Sequence, residues 1–318
     1  MMQYGILFSG QGAQRAGMGV ELMADSLFST IVTQASEISH LDLLKIMQDE
    51  NGELEQTEYV QPALVTVSYG IYRMLQRDLP KLPVAGMAGL SLGEYAALFA
   101  SQTVDFPTGL QLLVDRAKYM QADADKVDST MAAVMNPDVE AVKNLCATLQ
   151  DQGKQVYVAN YNSPQQVVIG GVVEDVKAAA KQIKADQLAK RAIVLKVNGA
   201  FHTPLFNGAR EKMHQRLTSV EFNEPSVPVI SNTTVKPFQA TAISSILERQ
   251  LAVPTHFGAD LQYLIDHYRV NATLEIGPGK TLSRFAQQVD PQLQTYHIAN
   301  LADYEKFVKE YQQDGTQG

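Results

Sequence analysis

The sequence contains one cysteine, Cys146, and no tryptophan. A single cysteine excludes an internal disulfide bond and any metal site built from several thiolates of this chain. The six histidines show no H-x-H or H-x-x-x-H spacing, so they do not indicate a metal site either. Sparse cysteine is typical of a reducing compartment, and we expect a cytoplasmic protein without a metal.

Long apolar stretches are also absent. No segment approaches the roughly 20 apolar residues that a membrane span needs, and the opening M-M-Q-Y-G-I-L-F-S-G lacks the regions of a secretory signal. The formal net charge is −8. An acidic chain is poorly suited to anionic surfaces, so we expect that its partners include neither nucleic acid nor a membrane.

The 318 residues are 45% hydrophobic, which is enough to build a large core. Strand-like and helix-like segments alternate, a pattern that predicts the α/β class with a mostly parallel sheet. We expect strands at 4–9, 83–90, 227–231 and 272–276, and helices at 20–48, 60–78, 93–101 and 107–122.

A central segment has its own pattern, β-α-β-β-α-β, which is the ferredoxin-like order. We therefore predict a ferredoxin-like subdomain at 127–197, inserted into an α/β-hydrolase-like catalytic domain made of 1–126 and 198–318. Pro137 is expected in the first turn of a helix, because proline is favoured there. The expected strands are 131–135, 156–160, 165–170 and 191–197, the helices 137–152 and 173–187, and the hairpin turn 162–164.

Residues 89–93 read G-L-S-L-G, a G-x-S-x-G motif between a predicted strand and a predicted helix. A serine on such a turn is held in a strained conformation, and the flanking glycines let the strand and helix approach closely. The backbone N–H of Leu92 points into the same space, where it can stabilise an oxyanion. Five letters alone also describe an ordinary turn, but their setting favours Ser91 as a nucleophile.

Two glycine-rich turns resemble nucleotide-binding loops without completing them. The run G-Q-G at 10–12 is followed by Arg15 where the dinucleotide fingerprint needs a third glycine. The run G-P-G-K-T at 277–281 has Leu274 where a phosphate loop needs glycine. We expect tight turns at the carboxyl edge of the sheet, and no cofactor.

A serine nucleophile needs a base, and His202 follows a predicted strand in the turn-like run N-G-A-F-H-T-P. A lone histidine is more often a packed or solvated residue, so position alone does not assign this role. Arg116 borders the apolar face of the predicted helix 107–122. Such a guanidinium usually forms an internal salt bridge, although its fork also suits a substrate carboxylate.

Six blocks of sequence occur in a fixed order between residues 4 and 300. They are F-S-G-Q-G-A-Q at 8–14, G-L-S-L-G-E-Y at 89–95, N-Y-N-S-P-Q-Q-V-V-I-G-G at 160–171, G-A-F-H at 199–202, R-Q-L at 249–251 and E-I-G-P-G-K at 275–280. Together they resemble the malonyl-CoA:acyl-carrier-protein transacylases of bacterial fatty acid synthesis. Several blocks in one order are far more specific than one motif.

The resemblance implies a role for each of five residues. Ser91 would be the nucleophile, and His202 would be the general base and then the general acid. The backbone N–H groups of Gln11 and Leu92 would form the oxyanion hole. Arg116 matches the arginine that binds the malonyl carboxylate in this family.

Other positions take their interpretation from the same resemblance. The backbone carbonyl of Gln250 would orient His202, which implies a Ser–His dyad, and Gln250 is grouped with the substrate-binding residues. Phe201 matches the pattern associated with malonyl rather than branched acyl units. Asn160 is also assigned to substrate binding, although it fits a turn equally well. Leu90 departs from the family, which usually has histidine before the nucleophile.

The implied reaction moves a malonyl group from malonyl-CoA to Ser91 and then to the phosphopantetheine thiol of acyl carrier protein, with ping-pong kinetics and no cofactor. The expected process is fatty acid synthesis, although a carrier of polyketide synthesis or malonate metabolism would need the same chemistry. An acidic carrier would need a local basic patch, and the candidates are Lys181, Lys184, Lys190 and Arg191.

Two alternatives from other classes stay open. A serine hydrolase or thioesterase would use the same turn but pass the acyl group to water, with the late histidine His297 as its base. A carrier-protein-binding module with a dead site would form no ester on Ser91.

Overall fold

The structure is a computed structural model that describes residues 2–315. In this range nine β-strands form two separate sheets. The strands are β1 (Tyr4–Phe8), β2 (Val84–Gly89), β3 (Ser129–Pro137), β4 (Val156–Ser163), β5 (Gln166–Val172), β6 (Ala189–Val194), β7 (Val229–Ile230), β8 (Ala272–Ile276) and β9 (Gln294–Ile298).

Twelve α-helices lie in the same range, and none of them has both the length and the hydropathy that crossing a bilayer requires. They are α1 (Ser26–Ser39), α2 (Leu43–Gln48), α3 (Thr57–Asp78), α4 (Gly93–Ala100), α5 (Phe106–Ala124), α6 (Val139–Asp151), α7 (Val173–Ala185), α8 (Asn207–Leu217), α9 (Ile243–Gln250), α10 (Phe257–Tyr268), α11 (Thr281–Val289) and α12 (Leu301–Gly315). Short 3-10 helices occupy Val20–Ala24, Glu53–Glu55, Pro204–Phe206 and Ala240–Ala242.

The first sheet is parallel throughout, with the strand order β7-β2-β1-β8-β9. Its central strand β1 is entirely buried, because helices cover both faces of the sheet. Ile6 and Phe8 enter a large core with α1, α3, α4 and α5, whereas Leu7 enters a second core with α10 and α11. The predicted α/β class with a mostly parallel sheet is therefore confirmed.

The second sheet is antiparallel, with the strand order β4-β5-β3-β6. Helices α6 and α7 cover one face of it, over a core that includes Val134 and Ile169. The opposite face carries Met131 and Val168, which pack beside Phe201. That face is turned toward the first sheet, and the two sheets enclose the cleft described below.

Several helices start at residues other than those predicted from the sequence. The predicted helix 20–48 is interrupted twice, because the side chains of Asp25 and Asp42 cap two new helix starts at α1 and α2. Pro137 does not begin a helix: it is the last residue of β3, and Asp138 caps α6.

Two strand boundaries and one whole strand also differ. Asn162 and Ser163 still belong to β4, so the hairpin turn consists of Pro164 and Gln165 and starts two residues later than predicted. The last strand of the second sheet begins at Ala189 and ends at Val194, earlier than the predicted 191–197. Strand β9 was not predicted.

The glycines of the G-x-S-x-G motif allow α4 to lie against β1 and β2. A Cβ at Gly89 would lie 2.0 Å from the carbonyl carbon of Gly93, and a Cβ at Gly93 would lie 2.1 Å from the carbonyl oxygen of Phe8. These neighbours are backbone atoms, which cannot rotate away as a side chain can. The close approach of helix and strand therefore requires glycine at both positions.

We predict that Gly93→Ala lowers the free energy of unfolding by about 3 kcal/mol, because the added methyl group overpacks a backbone contact. Gly170→Ala is the matched control, since its Cβ would lie 3.4 Å from the nearest atom, an ordinary contact. Urea denaturation of both variants measures the difference. Equal stability of the two variants would contradict the packing account.

Candidate active site

A cleft of about 1250 Å³ opens where β1 and β2 end, between the two sheets. The carboxyl ends of parallel strands are where open α/β sheets bind ligands. Within residues 2–315, no group of three His, Cys, Asp or Glu side chains is placed to hold a metal ion. The predicted site residues that line the cleft are Gln11, Ser91, Leu92, Asn160, Phe201 and His202.

Ser91 occupies the turn between β2 and α4 in a left-handed backbone conformation, with φ of 52°. A residue with a side chain adopts this conformation when its surroundings impose it. The backbone N–H of Ser91 donates to Oδ1 of Asn232 at 2.7 Å. Its Oγ accepts from the guanidinium of Arg116 at 3.1 Å and faces the cleft.

Two backbone N–H groups are available beside Ser91. Among the residues that the structure describes, neither the N–H of Gln11 nor that of Leu92 has a hydrogen-bond partner, and both residues line the cleft. The side chain of Gln11 is held by Thr57 and Gln61, at 3.2 and 3.1 Å. Paired amides of this kind are suited to an oxyanion.

His202 is 3% exposed, and its Nδ1 lies 2.7 Å from the backbone carbonyl oxygen of Gln250. A carbonyl can only accept, so the neutral ring carries its proton on Nδ1 and leaves Nε2 as a base. Burial is the main cause that lowers the pKa of His202 to about 4; the Gln250 carbonyl opposes this shift and the charge of Arg116 adds to it. The imidazole is therefore neutral at pH 7.

Arg116 lies fully buried behind Ser91. It donates to the side-chain oxygens of Gln61 and Gln250, at 2.7 and 3.0 Å, and lies over the ring of Tyr95 at 5.3 Å. Within the described part of the chain no carboxylate lies within 4.0 Å of it, so the internal salt bridge considered from the sequence is not formed. Its Nε also has no partner there.

Gln250 is fully buried and joins several groups of the site. Its Nε2 donates to the backbone oxygen of Ser91 at 3.1 Å and to the carboxyl of Glu94. Glu94 is itself fully buried, and this burial raises its pKa to about 8, against the opposing effects of the Asn232 N–H, Gln250 and Arg116. Gln250 therefore lies behind the cleft wall, where it supports the groups that face the cleft.

Three other predicted positions lie at the cleft itself. Asn160 donates from Nδ2 to the hydroxyl of Thr255 at 2.7 Å, which ties β4 to the segment between α9 and α10. Phe201 packs against Phe206 with ring centroids 5.1 Å apart. Leu90, where the resemblance led us to expect histidine, lines the cleft and packs on the second core.

Some residues singled out in the sequence are not part of the cleft. His297 lies on β9 with its Nε2 3.8 Å from Asp303, and it is not among the cleft-lining residues. The turn G-P-G-K-T reaches the cleft only at Thr281, the first residue of α11, and the next two N–H groups, on Leu282 and Ser283, donate to buried Glu275. The four basic candidates for carrier binding are exposed on α7 and β6.

Sequence reasoning did not identify Gln61, Glu94, Asn232 or Asp260, which hold the site residues from behind. Glu94 had a local signal, because it directly follows the G-x-S-x-G motif in the first turn of α4. Asn232 had a weaker one, because it follows β7 at the carboxyl edge of the sheet. Gln61 and Asp260 are single polar residues within helices and gave no signal.

The comparisons with known proteins agree on one family. Residues 6–316 match the family model described as an acyl transferase domain. The chain is 35% identical over 292 residues to the malonyl CoA-acyl carrier protein transacylase of Escherichia coli strain K12, over 91% of this chain and 93% of that protein.

Solved structures give the same result. The structure named MCAT from Streptococcus pneumoniae matches with a TM-score of 0.90 and 35% identity, over 96% of this chain and 99% of that chain. A malonyl-transacylase in complex with a type II PKS acyl-carrier protein matches with a TM-score of 0.91 and 33% identity, over 97% of this chain and 99% of that one.

We predict that His202 makes the stability of the protein fall as the pH is lowered from 6.5 toward 4. Its folded pKa of about 4 lies below its ordinary 6.5, so in that window only the unfolded chain takes up the proton. His202→Asn lacks this titrating group. The free energy of unfolding of the unsubstituted protein minus that of His202→Asn should therefore fall by up to about 3 kcal/mol between pH 6.5 and pH 4. Parallel curves from urea denaturation at each pH would contradict the burial account.

Proposed function

The chain belongs to the acyl transferase family, and we propose that it transfers a malonyl group from malonyl-CoA to the phosphopantetheine thiol of an acyl carrier protein. It is an enzyme of the acyl-carrier-protein S-malonyltransferase type. One observation carries the choice of acyl group: the buried guanidinium of Arg116 reaches Ser91 Oγ and has no carboxylate partner in residues 2–315.

In the first half-reaction Ser91 Oγ attacks the thioester carbonyl of malonyl-CoA while Nε2 of His202 takes the hydroxyl proton. The N–H groups of Gln11 and Leu92 stabilise the oxyanion of the tetrahedral intermediate. The carbon–sulfur bond then breaks, His202 returns the proton to the sulfur of CoA, and the malonyl group stays on Ser91 as an ester.

In the second half-reaction the phosphopantetheine thiol of the carrier takes the place of CoA. His202 removes the thiol proton, the sulfur attacks the ester carbonyl, and the proton returns to Ser91 Oγ as the ester bond breaks. The Gln250 carbonyl, 2.7 Å from Nδ1, orients His202 in place of a carboxylate. The chemistry thus requires a Ser–His dyad and gives ping-pong kinetics.

Arg116 selects the acyl group in this proposal. A buried charge is costly unless it is paired, and the carboxylate of a malonyl group on Ser91 would supply the pair. Guanidinium and carboxylate form two parallel hydrogen bonds, so the ester would be held in one orientation. Before the ester forms, Gln61 and Gln250 hold the guanidinium from behind.

The process and the domain organisation are part of the same proposal. We assign fatty acid synthesis in the cytoplasm, while similarity to a transacylase of a type II PKS carrier supports polyketide synthesis as a second candidate. Residues 127–197 would form a ferredoxin-like subdomain, supported by the strand order β4-β5-β3-β6, inserted into an α/β-hydrolase-like domain of 1–126 and 198–318.

We expect intact-mass spectrometry after mixing with malonyl-CoA to show an adduct of about 86 Da, the mass of a malonyl group on a serine nucleophile. Peptide mapping should place it on Ser91. His202→Ala should slow its formation at least about 100-fold, since a general base contributes that much, whereas His297→Ala should not change it. Loss of labelling in His297→Ala instead would favour the hydrolase alternative, and no adduct in the unsubstituted protein would refute the ester.

We expect Arg116→Ala to lower kcat/KM for malonyl-CoA by about 100-fold, because charge-assisted hydrogen bonds contribute up to about 3 kcal/mol. Transfer from acetyl-CoA, which has no carboxylate, should persist or increase. Lys118→Ala, on the exposed side of the same helix, is the control and should change neither rate. Unchanged malonyl kinetics in Arg116→Ala would rule out this role.

A further inference from the structure

Asn232 connects three separate segments of the chain beneath the nucleophile. It is fully buried, two residues beyond the end of β7. Its Oδ1 accepts from the N–H of Ser91 at 2.7 Å, and its Nδ2 donates to Oδ2 of Asp260 at 2.6 Å. Its own backbone N–H donates to Oε1 of Glu94 at 2.6 Å.

The hydrogen bond to Ser91 acts on the strained part of the turn. With φ of 52°, Ser91 is outside α4, so its N–H has no helical partner of its own. Buried backbone donors are rarely left unpaired, and the Asn232 oxygen satisfies this one. Because the N–H of Ser91 is used in this bond, it is not available to the oxyanion. The unpaired N–H of Leu92 is the donor that remains for it.

The orientation of the Asn232 amide is fixed by its other contacts. The Asp260 oxygen at 2.6 Å takes the NH₂ side of the amide, so the oxygen side must face the N–H of Ser91. The backbone oxygen of Asn232 also accepts from the N–H of His256 at 3.0 Å. Contacts from α4 and from the segment before α10 hold the backbone of Asn232, and the contact from α10 fixes its side chain.

We propose that Asn232 is a positioning residue for acyl transfer. It keeps Ser91 in the left-handed conformation in which Oγ faces the cleft, and Asp260 acts through it by fixing its amide. Asn232 is not among the residues that line the cleft, so it contributes to the rate of ester formation and not to the binding of malonyl-CoA. This inference rests on Ser91 being the nucleophile of the proposed function.

The test is the single-turnover rate of Ser91 malonylation by malonyl-CoA, measured by rapid quench and intact mass at several malonyl-CoA concentrations. Asn232→Leu removes the acceptor, and Asn232→Asp keeps the acceptor but sets a second carboxyl against Asp260. The double variant Asn232→Asp with Asp260→Asn exchanges the two side chains and restores both hydrogen bonds. Ser101→Ala is the control, because Ser101 is buried at the far end of α4.

We expect Asn232→Leu and Asn232→Asp to slow malonylation about 100-fold, the size of effect that follows from a misplaced reacting group. The half-saturating concentration of malonyl-CoA should stay within about twofold, as for a residue outside the binding surface. The exchanged variant should recover to within about tenfold of the unsubstituted rate, because neighbouring changes are not additive. Ser101→Ala should lose stability in thermal unfolding but keep the rate.

Several outcomes would overturn the proposal. One is an Asn232 variant that is folded and forms the ester at the unsubstituted rate. Another is an exchanged variant that is no faster than Asn232→Asp, and this comparison decides the case if Asn232→Leu does not fold. No adduct in the unsubstituted protein would refute the proposed function and this inference together, whereas a normal adduct with unaffected variants would refute the inference alone.

Discussion

The site depends on a cation buried without a carboxylate partner in the described chain. Arg116 is held by the amide oxygens of Gln61 and Gln250 and by Ser91 Oγ. Gln61 also donates to the side chain of Gln11, and the backbone carbonyl of Gln250 accepts from His202. The guanidinium is thus linked to the proposed nucleophile, to the proposed oxyanion hole and to the proposed base, while its unpaired charge favours a substrate that brings a carboxylate.

Strained backbone at the two residues of the proposed dyad is the second feature of the site. Ser91 and His202 both have positive φ, 52° and 62°, which side chains adopt at a cost of order 1–3 kcal/mol. The surrounding contacts fix them there: close packing at Gly89 and Gly93 sets the turn, and Asn232 satisfies its N–H. Pre-organisation of this kind places the reacting atoms before the substrate arrives.

Local patterns in the sequence predicted the features that depend on residues close together in the chain. Strand β8, A-T-L-E-I, was expected at its observed bounds, whereas β9, Q-T-Y-H-I at the sheet edge, is mostly polar and was not predicted. The turn that carries Ser91 could be predicted because glycine spacing encodes it. Gln61 and Asn232 could not, because they meet their partners across 55 and 141 residues. The ends of α1 and α6 depended on aspartate caps that a period of 3.6 does not reveal.

The central claim is that Arg116 binds the carboxylate of the acyl group carried on Ser91. A crystal structure of the protein after reaction with malonyl-CoA tests it most directly. We expect a malonyl ester on Ser91 with two nitrogen–oxygen distances of about 2.7–2.9 Å between the guanidinium and the carboxylate. An ester whose carboxylate points into the open cleft, with Arg116 still bonded to Gln61 and Gln250 alone, would contradict it.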